Sequence, residues 1–138
     1  MTGVQTCALP IFVREALAEA HIQAYPSIWL ETSCMALMEG MSAGCLCVHP
    51  NYGALPETAA NWTWMYQWSQ DKRDHAATLY NHLAAGIENY WTEGIQTRLG
   101  GQKSYADVFY SWAYRKQQWD ALLTSILVDK KITLDPKE

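Results

Sequence analysis

Two short apolar runs on either side of a ten-residue helical stretch limit what this chain can fold into. HIQAYPS (21–27) closes on Pro26-Ser27, and CLCVHP (45–50) stops at Pro50. Neither shows the polar alternation of a strand with one wet face. Continuous apolar strands belong to parallel sheets covered on both faces, and parallel neighbours need a crossover, usually a helix. Cys34 to Ala43 reads as that helix, with Thr32 or Ser33 as its N-cap and Gly44 as the residue that ends it.

The rest of the chain extends this pattern. FVREALAEAH predicts a helix over 12–20, and WTWMYQW (62–68) predicts a third strand. NYGALPET (51–58), punctuated by Gly and Pro, reads as a loop. Residues 72–91 read as helix, with a break at Gly100-Gly101. A long last helix is expected from Tyr105 to Val128, on the three-to-four spacing of Val108, Phe109, Trp112, Trp119, Leu122, Leu123, Ile126 and Leu127. The expected class is α/β: a partial doubly wound, Rossmann-like parallel sheet of two or three strands, followed by C-terminal helices. Residues 12–70 carry the sheet, 71–128 the helices and 129–138 a polar tail. MTGVQTCALPI (1–11) resembles a translated sequencing adaptor and is set apart from the fold, so the natural protein is expected to extend upstream.

At 138 residues with 49% apolar composition, one domain with a real core is affordable. A net charge of −4 with scattered Lys and Arg argues against nucleic acid and anionic membrane surfaces as partners. No apolar run has the roughly 18 residues of a membrane span, and no signal peptide is evident, so a cytoplasmic location is expected. Four Cys then read as free thiols of a reducing compartment. Cys45 and Cys47 are expected on opposite faces of their strand, unable to share a metal ion, and no metal is expected. The seven Trp and eight Tyr read as packing anchors. Trp62, Trp64 and Trp68 in particular are expected to pack under the loops.

Two carboxylates stand out in ETSCMALMEGMSAG (31–44). Ligands of doubly wound sheets bind beyond the carboxyl ends of the strands, where loops lead into helix N-termini. Glu31 lies in such a loop, and the amides of Thr32, Ser33 and Cys34 open a helix whose dipole favours anions. Glu39, about one and a half turns on, can accept paired hydrogen bonds from the vicinal hydroxyls of a ribose. Together they suit a nucleotide diphosphate carrying a sugar. Spacing alone leaves open a plainer account, with Glu39 a solvated side chain and Glu31 a first-turn dipole residue.

The stretch YPSIWLETSCMALMEGMSAGCLCVHPNYGALPE (25–57) resembles the donor site of retaining glycosyltransferases with two Rossmann-like domains, the glycogen synthase-like and sucrose synthase-like group (group 1). The shared pattern is Pro26-Ser27, Glu31 and Glu39, Ser42-Ala43-Gly44, the strand Cys45–Val48, and Gly53 to Glu57. Ser111-Trp112 is similar to the family's closing Ser-Trp, which makes Trp119 an expected packing anchor. The resemblance implies a fragment of the C-terminal domain, with Glu31 meeting the transferred sugar as the catalytic carboxylate and Glu39 on the ribose. The backbone of Thr32, Ser33 and Cys34 would face the sugar and diphosphate. It implies no metal and no cofactor beyond the nucleotide-diphosphate-sugar donor. The acceptor would be a glycan, lipid or small molecule, and the N-terminal domain and its diphosphate-neutralising cations would lie upstream, leaving this fragment inactive by itself. Thr32-Ser33-Cys34 departs from the usual Gly-Phe-Gly. Gly40 replaces Ala, a change expected only to weaken the helix by about 1 kcal/mol.

His49, Gly53 and Glu57 are candidates for the lip of the site, with a hydrogen-bonded structural role as the plainer account of His49. His21, His75 and His82 are expected to be structural. The competing functional reading is a stand-alone nucleotide-sugar-binding or assembly module without catalysis. A third is a Rossmann-like piece without ligand that folds by association. All three predict an exposed apolar sheet edge.

Overall fold

A computed structural model describes residues 10–129 of the chain. The elements run α1 (Pro10–Glu19), β1 (Ile22–Ala24), α2 (Met35–Ala43), β2 (Leu46–Pro50), α3 (Leu55–Ala59), β3 (Trp64–Tyr66), α4 (Lys72–Asn89), α5 (Glu93–Phe109) and α6 (Trp112–Asp129). The adaptor-like segment up to residue 9 and the polar tail from residue 130 lie outside the described residues. α1 opens on Pro10, a residue preset for the first helical position.

The three strands form one parallel sheet in the order β1-β2-β3. Ile22 stands opposite Leu46 and Ala24 opposite Val48, while Val48 pairs with Trp64 and Pro50 with Tyr66. The α/β class and the parallel sheet are as the apolar runs require. β2, central, has all five residues buried. Alternation along it divides the core. Cys45 and Cys47 face Leu37 and Met41 of α2, Leu55 and Ala59 of α3 and Ala106 of α5. Leu46 and Val48 face the other way, onto Tyr66, Leu99 and the partly buried Leu79 and Leu83 of α4. Helices thus cover both faces, as a sheet without polar alternation demands. Among the described residues β1 pairs with β2 alone, so its outer edge is open.

Cys45 and Cys47 therefore share one face, contrary to expectation, because residues two apart in a strand point the same way. Both lie with Cys34 in one core cluster, and all three thiols are free. Burial pushes the Cys45 and Cys47 thiols up, which leaves them protonated hydrophobes rather than ligands.

Several boundaries differ from expectation for local reasons. The N-cap of α2 is Cys34, one residue beyond Ser33, and Gly44 ends the helix at φ 83° as predicted. The loop after β2 contains α3, too short to show a helical period. No break occurs at Gly100-Gly101, since α5 runs through both. A Cβ on Gly101 would lie 2.6 Å from the Trp62 ring, so this glycine admits a neighbouring indole rather than ending a helix. The expected helix from Tyr105 to Val128 is instead two, divided at Tyr110-Ser111. The Ser111 hydroxyl donates to the Val108 carbonyl and accepts from the Tyr114 amide at 3.1 Å, starting a new helix. Asp71 caps α4 by accepting from the amides of Arg73 and Asp74.

α5 locks the amino ends of the strands. The Gln102 amide donates to the Cys45 carbonyl at 2.8 Å, and Lys103 Nζ to that of Ser42 at 2.6 Å, near the C-terminus of α2. Arg98 donates to the carbonyls of Asn61 and Trp62, holding the turn that carries Ala60 and Asn61 at positive φ.

Candidate functional site

Because neighbouring strands are parallel, the loops after β1, β2 and β3 meet at one end of the sheet. The loop after β1 is tightly tied. The Tyr25 amide donates to the Val48 carbonyl, extending the ladder by one residue. The Ser27 side chain, itself buried, accepts from the Trp29 amide at 3.3 Å, and the Glu31 amide donates to the Trp29 carbonyl. The loop after β2 then reaches across, with the Ala54 amide donating to the Glu31 carbonyl at 2.8 Å. Gly53 makes that approach feasible. It sits at φ 59°, and a Cβ there would lie 2.7 Å from the Glu31 nitrogen.

The Glu31 backbone is thus clamped between two loops, and its side chain is held as well. The Tyr25 hydroxyl donates to Glu31 Oε1 at 2.6 Å. This bond, then partial burial, then the neighbouring Cys34 thiol, push the Tyr25 phenol well above its ordinary value, so it keeps its proton and remains a donor. Sequence reasoning did not single out Tyr25. A phenol at a strand end, six residues before a carboxylate, gives no periodic signal, and only the fold of the loop joins the two.

The other candidates divide. Thr32 and Ser33 are exposed beside Glu31, and Cys34 is buried as the cap. No side chain caps α2, which leaves its first-turn amides without that partner. Glu39 is exposed on α2, with no hydrogen bond among the described residues. Glu57 is exposed in the first turn of α3. His49 forms no lip: it is 0% exposed, its Nε2 bonded to Thr63 Oγ1 at 2.7 Å and its Nδ1 to the Pro50 carbonyl at 2.9 Å. Desolvation lowers its pKa and keeps the ring neutral, so the structural account of His49 is the one that stands.

Gly40 also does more than weaken a helix. A Cβ there would overlap the Gln23 side-chain amide, which donates to the Ala36 carbonyl at 2.8 Å and ties α2 to β1. Around the Glu31 loop the surface is apolar: Trp29 is 76% exposed, and Ile28, Leu30 and Met35 also face solvent. Beyond them the Tyr52 and Trp68 rings stack at 4.3 Å, and the Asn51 side chain bonds the Trp68 amide. Trp62 and Trp64 pack against the two cores, so this indole run is packing, as expected. The sequence carries no Lys or Arg from residue 15 to residue 71, and the cations that come next, the exposed Lys72 and Arg73, open α4 after β3 at this same end of the sheet.

An open depression lined by Asn61, Trp62, Thr97, Arg98 and Gly101 lies at the opposite end of the sheet, against the turn that leads into β3. It is remote from the carboxylate chemistry. Among the described residues no group of His, Cys, Asp and Glu could hold a metal ion, and no helix is long and apolar enough to cross a membrane. Comparison with known proteins returns no relative: no family model, curated protein or solved structure matches the chain.

Proposed function

We propose that this chain carries the donor half of a retaining glycosyltransferase site, in a cytoplasmic protein, and binds a nucleotide-diphosphate sugar. The observation that carries the reading is the placement of Glu31. Its carboxylate is fixed at the carboxyl ends of β1 and β2, beside a helix N-terminus that no side chain caps. Glu31 addresses the sugar, the amides opening α2 take the diphosphate, and the exposed carboxylate of Glu39 takes the ribose hydroxyls. The acceptor, a glycan, lipid or small molecule, meets the sugar from the Glu31 side. No metal enters this scheme. Departure of a diphosphate needs its developing charge neutralised, and the family resemblance assigns that task to cations of an N-terminal domain, so the chain by itself binds donor without transferring it.

The test is calorimetric titration of the purified chain with glucose linked to uridine, adenosine or guanosine diphosphate. One donor is expected to bind with a Kd at or below about 1 mM, equivalent to roughly 4 kcal/mol. Glu39→Ala then weakens both the donor and its free nucleoside diphosphate about tenfold, the loss of one or two hydrogen bonds to a charged group. Absence of binding by all three donors overturns the reading.

A further inference from the structure

We infer that Tyr25 is a positioning residue of this site, which holds one oxygen of Glu31 so that the other is presented to the sugar of a bound nucleotide-diphosphate sugar. The inference rests on the donor-site reading above and extends it to a residue outside the glutamate pair. A glutamate side chain in a surface loop has three rotatable bonds, and ordering it for a ligand costs on the order of 1 kcal/mol or more. Here that ordering is complete before any ligand arrives. The phenol stands on the last hydrogen-bonded residue of a parallel ladder, the stiffest support available nearby, and meets Oε1 at 2.6 Å. The Glu31 main chain is pinned from the other side by Ala54 and by the close approach of Gly53. With one oxygen occupied and the backbone immobile, Oε2 is the acceptor left for a hydroxyl or a developing positive charge on the sugar.

Beside the pair the Cys34 thiol lies buried at the cap of α2, and the Tyr25 phenol, pushed up, holds its proton. A protonated phenol donates to the carboxylate and accepts nothing from it. Nothing in the pair therefore competes with the sugar for the free oxygen. The arrangement orients Glu31.

A purely structural tyrosine and a positioning one differ in what their loss does to two ligands. Tyr25→Phe keeps the ring and removes only the hydroxyl. If Tyr25 positions Glu31, the variant loses about tenfold in affinity for the glucose-linked nucleoside diphosphate that wild type binds. Its affinity for the same nucleoside diphosphate without sugar stays within about twofold. The double variant Tyr25→Phe/Glu31→Ala then binds the donor no more weakly than Glu31→Ala alone, because the two groups act as one. Equal loss for both ligands, or no loss for either, makes Tyr25 structural and overturns this inference while the donor-site reading survives. If wild type binds neither ligand, the donor-site reading falls and this inference falls with it. A second measurement needs no Tyr25 variant. The Tyr25 hydroxyl proton is expected in slow exchange by NMR in wild type and in fast exchange in Glu31→Ala, which has no acceptor; fast exchange in wild type, or slow exchange in both, overturns the inference.

Discussion

All five residues of β2 are buried, whereas in α6 Trp112 is 86% exposed, Trp119 59% and Leu122 50%. The two segments use similar apolar residues. β2 is flanked by a strand on each side and covered by helices on both faces, so each of its side chains exchanges water for carbon. α6 follows Ser111 away from that core, and its stripe of Trp, Leu and Ile meets no facing element among the described residues. Trp119, expected as a packing anchor, anchors nothing there. The lesson is that an apolar period shows which face a helix would bury, and says nothing of whether a partner is present to bury it.

The largest test of the contrast pairs Leu46→Ala with Leu122→Ala in denaturant unfolding. Leu46 is buried between β1, β3 and α4, and its truncation is expected to destabilise by about 2–5 kcal/mol, transfer and cavity together. The Leu122 change should stay within about 0.5 kcal/mol. Comparable losses at both sites would break the comparison, because α6 would then be covered.

Next in size is Gly101→Ala. In an open helix this substitution stabilises by about 1 kcal/mol. Here the added methyl meets the Trp62 ring, and overpacking is expected to destabilise by about 1–3 kcal/mol. Gly100, with open space around it, serves as the control and should gain when changed to Ala. Equal gains at both positions would show that α5 does not press on Trp62.

The smallest effect is a pH dependence. Burial depresses the His49 pKa below its ordinary 6.5. Below that value the unfolded chain binds a proton that folded His49 refuses, so its contribution to stability, complete above pH 6.5, is lost as pH falls. Thermal unfolding between pH 7.5 and pH 5 should show this decline in wild type and a shallower one in His49→Gln. An unchanged slope in His49→Gln would mean that His49 is less buried than β2 as a whole.

Much of the architecture was legible from residue order. Two apolar runs around a helix dictated a parallel sheet with two covered faces, because unpaired backbone and uncovered apolar strands are both expensive. Gly44 marked the end of α2 because positive φ suits glycine. The local errors share one cause, that the deciding contacts leave no periodic trace in the apolar pattern. Gly100-Gly101 reads as a break until Trp62 is seen against Gly101. α3 has five residues and no period. Ser111 divides a continuous apolar pattern through hydrogen bonds that the pattern does not encode. The Cys45 and Cys47 expectation failed for another reason, a misjudged strand period, since alternate residues share a face.

At the candidate site, sequence by itself located a carboxylate between a strand and a helix N-terminus, and the spacing of Glu31, Glu39 and Gly53 followed from local chain geometry. Tertiary structure alone decided which of these residues meet. It set Gly53 against the Glu31 backbone, withdrew His49 into the core, and brought the Tyr25 phenol onto the carboxylate. The physical reason is that a side chain's partners across a loop depend on how two strand ends are registered. Register is set by the packing of the whole sheet, not by the residues of the loop itself.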